Sequence, residues 1–196
     1  MWRLSRGLAL TLLLVGLARP SGLVARSIGH PRHHIIDALI IHSLGGPDCK
    51  NGTQFFKQID GDAQSWARAF ESLPGVSIHY VIGRNGTIAA GVPETMAASQ
   101  AIGWNQRSIG IELVNNGDGV DPFPPAQMDA LVQLAREIRQ RHPAITLEHV
   151  LRHSDVDQTT FPAGRHGRAC SAYRRKLDPG DAFPWDDFKA ALARNE

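Results

Sequence analysis

Short apolar runs rich in β-branched residues are the feature that most constrains how this chain folds. The first, residues 35–41 (IIDALII), stops abruptly at a histidine followed by turn-forming residues. Residues 77–82 and 108–114 are runs of the same kind, and residues 147–152 (LEHVLR) are interpreted as a further strand. Short apolar runs bounded by turn signals are typical of buried strands. We therefore predict a sheet that contains these four segments.

A hairpin is predicted beside the second run. Residues 87–91 follow residues 77–82 after the sequence Arg84-Asn85-Gly86. Asn-Gly is the dipeptide best able to take positive φ at both central positions of a tight hairpin turn. We expect Asn85 and Gly86 to occupy those positions, and this antiparallel pair makes the predicted sheet mixed.

Three further segments predict helices that flank the sheet. Large apolar residues fall at loosely helical spacing in residues 53–73, although Gly61 interrupts them. Residues 125–142 carry an apolar face opposite a charged one, and residues 184–193 close the chain as a helix. Strands that alternate with helices predict a single α/β domain with a mixed central β-sheet flanked by helices.

Composition argues against a nucleic-acid-binding protein. The formal net charge is only +2. Four arginines and no acidic residue lie in the first 26 residues, so the rest of the chain carries a slight negative charge. A nucleic-acid binder needs a strongly basic surface instead. At 196 residues with 42% hydrophobic residues, the chain is suited to one well-packed domain.

Residues 1–26 have the pattern of a secretory signal peptide. Arg3 and Arg6 precede an apolar run over residues 8–17, and small residues follow. The alternative, a membrane anchor, is less well supported because a spanning helix needs roughly 20 apolar residues. The sequence leaves the cleavage site open. We expect an exported, periplasmic or secreted chain of residues 27–196, with no stable membrane insertion once the leader is removed.

The chain has two cysteines, Cys49 and Cys170. In an oxidising compartment such a pair can form a disulfide, but the sequence alone does not settle whether it forms. A role as metal ligands is less favoured, because neither cysteine belongs to a close Cys-x-x-Cys or Cys-His cluster.

A metal site is predicted at one edge of the sheet. His42 and His153 each follow a predicted strand, where an α/β sheet gathers its functional groups. Asp178 precedes a Pro-Gly turn that fixes the direction of its carboxylate. Two imidazoles and one carboxylate leave the fourth position of tetrahedral zinc open, as in catalytic zinc sites. Spacing alone also allows a chance placement of these residues.

Several short motifs resemble one enzyme family. In their order along the chain they are similar to the zinc-dependent N-acetylmuramoyl-L-alanine amidases related to animal peptidoglycan recognition proteins, over about residues 36–190. The resemblance implies an amidase domain over residues 27–196 that holds Zn²⁺. The motifs are Ile41–Ser43, His79–Ile82, Arg84–Ile88, Ser108–Leu113, Arg152–Asp155 and Lys176–Gly180.

The resemblance also implies roles for individual residues. His42, His153 and Asp178 become the zinc ligands, while Glu112 and Lys176 become the catalytic groups. Glu112 can act as general base, and its alternative is an outward-facing strand residue. Lys176 can stabilise the oxyanion or protonate the leaving nitrogen, and its alternative is membership of a solvated basic run.

Substrate contacts are assigned more loosely. Trp104 and Asn105 are expected to line the groove for sugar and peptide, since an aromatic face packs on sugar C–H groups and an amide bonds a peptide. His79 is a third candidate, with a hydrogen-bonded core residue as its alternative. The chain departs from the family pattern at Ile78, where some relatives have tyrosine, which moves the base role onto Glu112. It departs again at Gln100, where many have histidine, which puts a substrate contact in doubt.

The expected function is hydrolysis, by a monomer, of the amide bond between N-acetylmuramic acid and L-alanine in peptidoglycan or its muropeptide fragments. Two alternatives remain open at this point. One is a peptidoglycan-binding module without activity, and the other is a zinc peptidase or deacetylase with another substrate.

Overall fold

The computed structural model describes residues 29–164 and 170–194. The predicted leader, residues 1–26, lies outside this part of the chain. No helix in the described ranges is both long and apolar enough to cross a membrane. The elements are β1 (His30–Pro31), β2 (Ala38–Ser43), β3 (Pro47–Lys50), β4 (Thr53–Phe56), α1 (Ala63–Ser72), β5 (Tyr80–Ile82), β6 (Ile88–Ala90), β7 (Met96–Ala97), β8 (Ser108–Leu113), α2 (Pro125–Arg141), β9 (Val150–Arg152), α3 (His153–Val156), β10 (Thr160–Phe161), β11 (Tyr173–Arg174) and α4 (Trp185–Ala193).

The central sheet has five strands in the order β6-β5-β8-β2-β9. β2 pairs in parallel with both β8 and β9, and β5 pairs in parallel with β8. β6 is antiparallel to β5. The predicted fold class, a mixed sheet flanked by helices in one α/β domain, is therefore confirmed. Three two-stranded ladders, β1-β7, β3-β4 and β10-β11, lie beside this sheet.

One face of the sheet forms the main hydrophobic core. Alternate residues of β2 and β8 point to it and pack against α2 and α4. The fully buried members include Leu39, Ile41, Ile109, Ile111 and Leu113. Because side chains alternate along a strand, His42 and Glu112 are left on the opposite face.

The opposite face is covered at one end by α1, through a second cluster that includes Ala67, Phe70, Val81 and Val114. Val114 directly follows β8, and Leu44, which directly follows β2, packs against this cluster. The polar side chains on those strand ends therefore lie beside the packed part of this face.

The helix predicted over residues 53–73 is only half present. Its first part forms β4, which pairs with β3 in an antiparallel hairpin. The helix begins after Gly61, where Asp62 accepts a hydrogen bond from the Ser65 backbone N–H at 2.7 Å and forms a capping box with that residue. The prediction of one helix was wrong for residues 53–56, because the loosely helical spacing of their apolar residues does not exclude a strand.

The predicted hairpin is present, but its turn is not the tight one expected. Gly86 has a φ of 82°, whereas Asn85 keeps a negative φ. The Gly86 N–H donates to Gly83 O at 2.9 Å, and the Asn85 side chain accepts from the Thr87 N–H at 3.1 Å. Only Gly86 needs the left-handed region, and the Asn85 side chain stabilises the turn by a local hydrogen bond.

The last predicted strand and loop also differ in detail. Residues 147–149 form a 3-10 turn, so that β9 is shorter than the run from 147 to 152. The segment expected to be a loop contains α3 and the ladder of β10 with β11. The prediction that a strand leads directly into His153 is confirmed, because β9 ends at Arg152.

Glu94 ties the loop before β7 to β5 and to the end of α2. Its carboxylate accepts hydrogen bonds of 2.7 Å from Tyr80, Arg141 and His142. Its side chain is 14% exposed. Burial alone would raise the pKa of Glu94, but the three hydrogen bonds outweigh burial and lower this pKa to about 2.

We predict that Glu94→Gln lowers the free energy of unfolding at pH 7 by about 1–3 kcal/mol, as expected for lost hydrogen bonds to a charged group. The folded-state pKa is below the ordinary value of 4.5, so this stabilisation is full well above pH 4.5 and is lost as the pH falls towards 2. Urea unfolding of both proteins near pH 7 and near pH 3 measures the difference.

Glu137→Gln is the control for this prediction. Glu137 forms an exposed ion pair with the same Arg141 at 4.0 Å, and such pairs contribute less than about 1 kcal/mol. Equal losses in the two variants, or a loss at Glu94 that does not shrink at low pH, would contradict the prediction.

Candidate metal centre and active site

Three buried side chains converge at the edge of the sheet. His42 Nδ1 lies 2.8 Å from His153 Nδ1, and His153 Nδ1 lies 2.9 Å from Asp178 Oδ2. The third distance, from His42 Nδ1 to Asp178 Oδ2, is 3.4 Å. All three residues are at most 3% exposed. The structure thus brings together the three ligands that the sequence predicts.

Separate elements position these three residues. His42 lies near the end of β2, and His153 is the first residue of α3, directly after β9. Arg152 pairs with Ile41, so His153 and His42, the residues that follow them, lie at the same level of the sheet. Asp178 precedes a cis peptide bond to Pro179.

Backbone contacts hold Asp178 against the two strands. Its carbonyl oxygen accepts a 3.0 Å hydrogen bond from the Ser154 N–H, next to His153. The Ser43 hydroxyl, next to His42, donates to Pro179 O at 3.2 Å. The residues next to His42 and His153 therefore hold the carbonyl groups of Pro179 and Asp178, respectively.

The donor set fits a metal ion. In tetrahedral zinc sites with metal–ligand distances of about 2.0–2.1 Å, ligand atoms lie roughly 3.3 Å apart. The distance between His42 and Asp178, 3.4 Å, matches this separation, and the other two, 2.8 and 2.9 Å, are about 0.5 Å shorter. Two ring nitrogens and a carboxylate oxygen that face one point present lone pairs to each other, and a cation at that point stabilises all three. Within the described residues, this is the group of histidine, cysteine and acidic side chains able to hold a metal.

The charge on Asp178 is favoured by its surroundings. Burial alone would raise the pKa of Asp178, but in the absence of a metal a hydrogen bond from the His153 ring holds this pKa well below its usual range. The Lys176 ammonium acts in the same direction. Asp178 is therefore ionised at neutral pH, as a metal ligand must be.

Glu112 lies next to this cluster on β8. It is the parallel register partner of His42, so both side chains point from the same face. Its Oε2 is buried and has no hydrogen-bond partner among the described residues. Burial raises the pKa of Glu112 to about 7, and the nearby Asp178 carboxylate adds to the effect, whereas the nearby His42 and Lys176 side chains oppose it. A buried carboxyl group with a raised pKa is typical of a functional site.

Lys176 is partly buried and lines a cleft beside the cluster. The cleft has a volume of about 350 Å³. Lys176 lies close enough to Glu112 and Asp178 to lower the pKa of both carboxylates. Its neighbours in the cleft wall include Leu44, Pro47, Lys57, Ile59, Phe161 and Arg175.

His79 does not line a groove, which corrects its candidacy as a substrate contact. It is fully buried, its Nδ1 accepts from the Gly110 N–H at 3.0 Å, and its Nε2 donates to Met96 O at 3.2 Å. Burial lowers the pKa of His79 to about 4. The alternative left open by the sequence, a hydrogen-bonded core residue, is what the structure has.

Trp104 and Asn105 are partly buried in the turn that follows Gln100. The Arg107 guanidinium lies 4.9 Å from the centre of the Trp104 ring. Asn105 Oδ1 accepts from the backbone N–H groups of Gln100 and Ala101, at 2.9 and 2.8 Å. Asn105 therefore shapes this turn, and a direct contact of either residue with substrate stays a prediction.

Sequence reasoning did not predict that Gln100 contacts the histidine and aspartate cluster. Its side chain contacts His42 directly, with His42 Nε2 at 2.5 Å from Gln100 Oε1. The sequence analysis considered Gln100 only as a doubtful substrate contact. Gln100 lies 58 residues from His42 along the chain, and nothing in the sequence between them indicates that the two side chains meet.

Cys49 and Cys170 form a disulfide. It joins β3, which follows His42, to the segment that precedes Lys176. The bond therefore links the two loops that lead to the metal cluster and to the lysine beside it.

The site geometry agrees with the comparison to known families. Residues 32–181 match the family model for N-acetylmuramoyl-L-alanine amidase. The chain belongs to this amidase family. The resemblance drawn from the sequence motifs is thereby confirmed.

Individual members of the amidase family are similar over different lengths. The 1,6-anhydro-N-acetylmuramyl-L-alanine amidase AmpD of Enterobacter cloacae is 30% identical over 167 residues, covering 79% of this chain and 79% of AmpD. The N-acetylmuramoyl-L-alanine amidase AmiD of Escherichia coli is 41% identical over 91 residues, covering 43% of this chain and 27% of AmiD. A solved structure of AmiD with the substrate anhydro-N-acetylmuramic acid-L-Ala-D-gamma-Glu-L-Lys matches with a TM-score of 0.55 and 27% identity, over 85% of this chain and 61% of AmiD.

We predict that Asp178→Ala abolishes zinc binding, because two imidazoles alone lose the charged ligand that balances the ion. Metal analysis after dialysis should find about one zinc per wild-type chain and none in the variant. Asp181→Ala, which removes an exposed carboxylate nearby, is the control and should keep its zinc. A folded Asp178→Ala protein with one zinc per chain would show that the cluster is wrongly assigned.

Proposed function

We propose that this chain is a zinc-dependent amidase that hydrolyses the bond between N-acetylmuramic acid and L-alanine in peptidoglycan or its fragments. The observation that carries the proposal is the His42, His153 and Asp178 cluster with Glu112 beside it, in a member of the amidase family. A recognition module without activity has no need for a buried carboxylate next to an intact ligand set.

His42, His153 and Asp178 would hold the metal. A zinc ion in such a site supplies a Lewis acid, which lowers the pKa of a water molecule towards ~7 and polarises a carbonyl oxygen. Three protein ligands leave room for further ligands, as catalytic sites require.

Glu112 would act as the general base. Its unpartnered Oε2 is able to accept the proton of the attacking water, and no competing hydrogen bond from a described residue has to break first. Its elevated pKa suits it to accept a proton near neutral pH and to release it to the leaving nitrogen later. Ile78, which replaces the tyrosine of some relatives, is buried and offers no alternative base.

Lys176 would stabilise the charge that develops on the scissile carbonyl. It lies on the same cleft wall as Leu44 and Ile59, so a bound substrate replaces water around its ammonium. A fixed positive charge in a site with little water stabilises an oxyanion more strongly than it does in bulk solvent.

The proposed substrate follows from the relatives and the cleft. The AmiD structure cited above contains a muramic acid bonded to a short peptide. The cleft beside Lys176 combines apolar surface with three basic side chains, Lys57, Arg175 and Lys176, and one acidic side chain, Asp48. This excess of positive charge suits a peptide that carries carboxylates.

The place of action is proposed to be outside the cytoplasm. Two features support this proposal, the leader pattern of residues 1–26 and the disulfide between Cys49 and Cys170. Disulfides persist in oxidising compartments and are rare in the cytosol.

We predict that Glu112→Gln keeps zinc but lowers kcat/KM by roughly 100-fold or more, the usual contribution of a general base. The amide keeps the size of the side chain and removes only its ability to take a proton. Zinc content and hydrolysis rate are measured on the same preparation, with the exposed Glu148→Gln as the control. A Glu112→Gln enzyme of wild-type rate would remove Glu112 from the mechanism.

The bond that is cut is predicted to join the lactyl group of N-acetylmuramic acid to L-alanine. Mass spectrometry of the products from a defined muropeptide should find the free stem peptide and the intact sugar. Cleavage between amino acids, or loss of an acetyl group, would support a zinc peptidase or deacetylase instead. Binding without any product would support a recognition module.

The disulfide is predicted to form in the exported protein. Thiol labelling of the unfolded, unreduced protein should find no free cysteine, whereas prior reduction should reveal two. Two labelled thiols without reduction would contradict the pairing of Cys49 with Cys170.

A further inference from the structure

The two ring nitrogens of His42 have different partners. Nδ1 faces His153 and Asp178, whereas Nε2 lies 2.5 Å from Gln100 Oε1. In His153 the corresponding Nε2 is buried and has no hydrogen-bond partner among the described residues. His42 is therefore the histidine ligand whose ring is oriented by a second side chain.

The direction of the hydrogen bonds follows from a backbone carbonyl. Trp104 O can only accept, so the Ser108 hydroxyl, 2.8 Å away, must donate its one proton to it. Ser108 Oγ then accepts from Gln100 Nε2, at 2.6 Å. This fixes the Gln100 amide with Oε1 towards His42, whose Nε2 must carry the ring hydrogen. The lone pair of His42 is thereby placed on Nδ1, which faces the cluster.

The Gln100 side chain is itself held in place. Asn105 Oδ1 accepts hydrogen bonds from the backbone at Gln100 and Ala101. The side chain lies across Gly110 of β8, where an added Cβ would stand 2.9 Å from Gln100 Cδ and 3.0 Å from Cγ. Glycine at position 110 therefore makes room for Gln100 to cross β8 and reach His42 on β2.

We propose that Gln100 is a positioning residue that holds His42 with Nδ1 directed at the metal. A hydrogen bond from the far ring nitrogen of a histidine ligand fixes the ring, fixes which nitrogen carries the hydrogen, and makes the ligating nitrogen more basic. The proposal rests on the metal site proposed above. It assigns to Gln100 a role in metal affinity and not in contact with substrate.

The test measures zinc affinity by competition with a chelator, in the absence of substrate. Gln100→Leu keeps the approximate size but accepts no hydrogen bond, and Gln100→Asn is too short to reach His42. Both should bind zinc roughly 10- to 100-fold more weakly than wild type. Gln100→Glu keeps an acceptor towards His42, and the Ser108 hydroxyl can turn from Trp104 O to donate to the second carboxylate oxygen. This variant should bind zinc within about threefold of wild type, or more tightly.

Controls separate positioning from packing. Gln133→Leu replaces an exposed glutamine on α2 and should leave zinc affinity unchanged. Thermal unfolding of each metal-free protein identifies any variant that does not fold, and Gln100→Asn replaces Gln100→Leu if the latter fails. Wild-type zinc affinity in a folded Gln100→Leu or Gln100→Asn protein would overturn the proposal, as would equal weakening in Gln100→Glu. Because the test measures zinc affinity without substrate, its result does not depend on whether the protein proves to be an amidase.

Discussion

The parallel pairing of β2 with β8 is the constraint on which the whole site depends. It places His42 opposite Glu112 and Ile40 opposite Gly110, so that a proposed metal ligand, a carboxylate and a gap for Gln100 share one face. The other face of the same strands is committed to the hydrophobic core. Because side chains alternate along a strand, the core residues of β2 and β8 lie on one face and the polar residues of the site on the other, although each strand has only six residues.

The residues whose position depends on strand ends could be predicted from the sequence. His42 and His153 follow apolar runs, and parallel strands bring their carboxyl ends to one edge. Asp178 had only its Pro-Gly turn as a local signal, and the motif resemblance was needed to join it to the histidines. The mixed sheet was likewise predictable, because its strands differ clearly in composition from the segments between them.

Residues whose role depends on contacts between distant segments could not be predicted in this way. Gln100 belongs to a turn, and nothing near it in sequence shows that it crosses β8 to reach β2. His79 looked available for substrate, but its two nitrogens bond backbone groups contributed by other strands. The helix predicted before Gly61 was wrong for a related reason, because this segment becomes a strand only by pairing with β3.

The ligands of the cluster are also far apart along the chain. His42 and His153 are separated by 111 residues, and a further 25 separate His153 from Asp178. An unfolded chain therefore holds no preformed site, and the proposed zinc ion would bind the native state almost alone. By mass action, the free energy of metal binding then adds to the free energy of folding. Metal supply would thus act on the lifetime of the folded protein as well as on its chemistry, and a chelator would weaken both together.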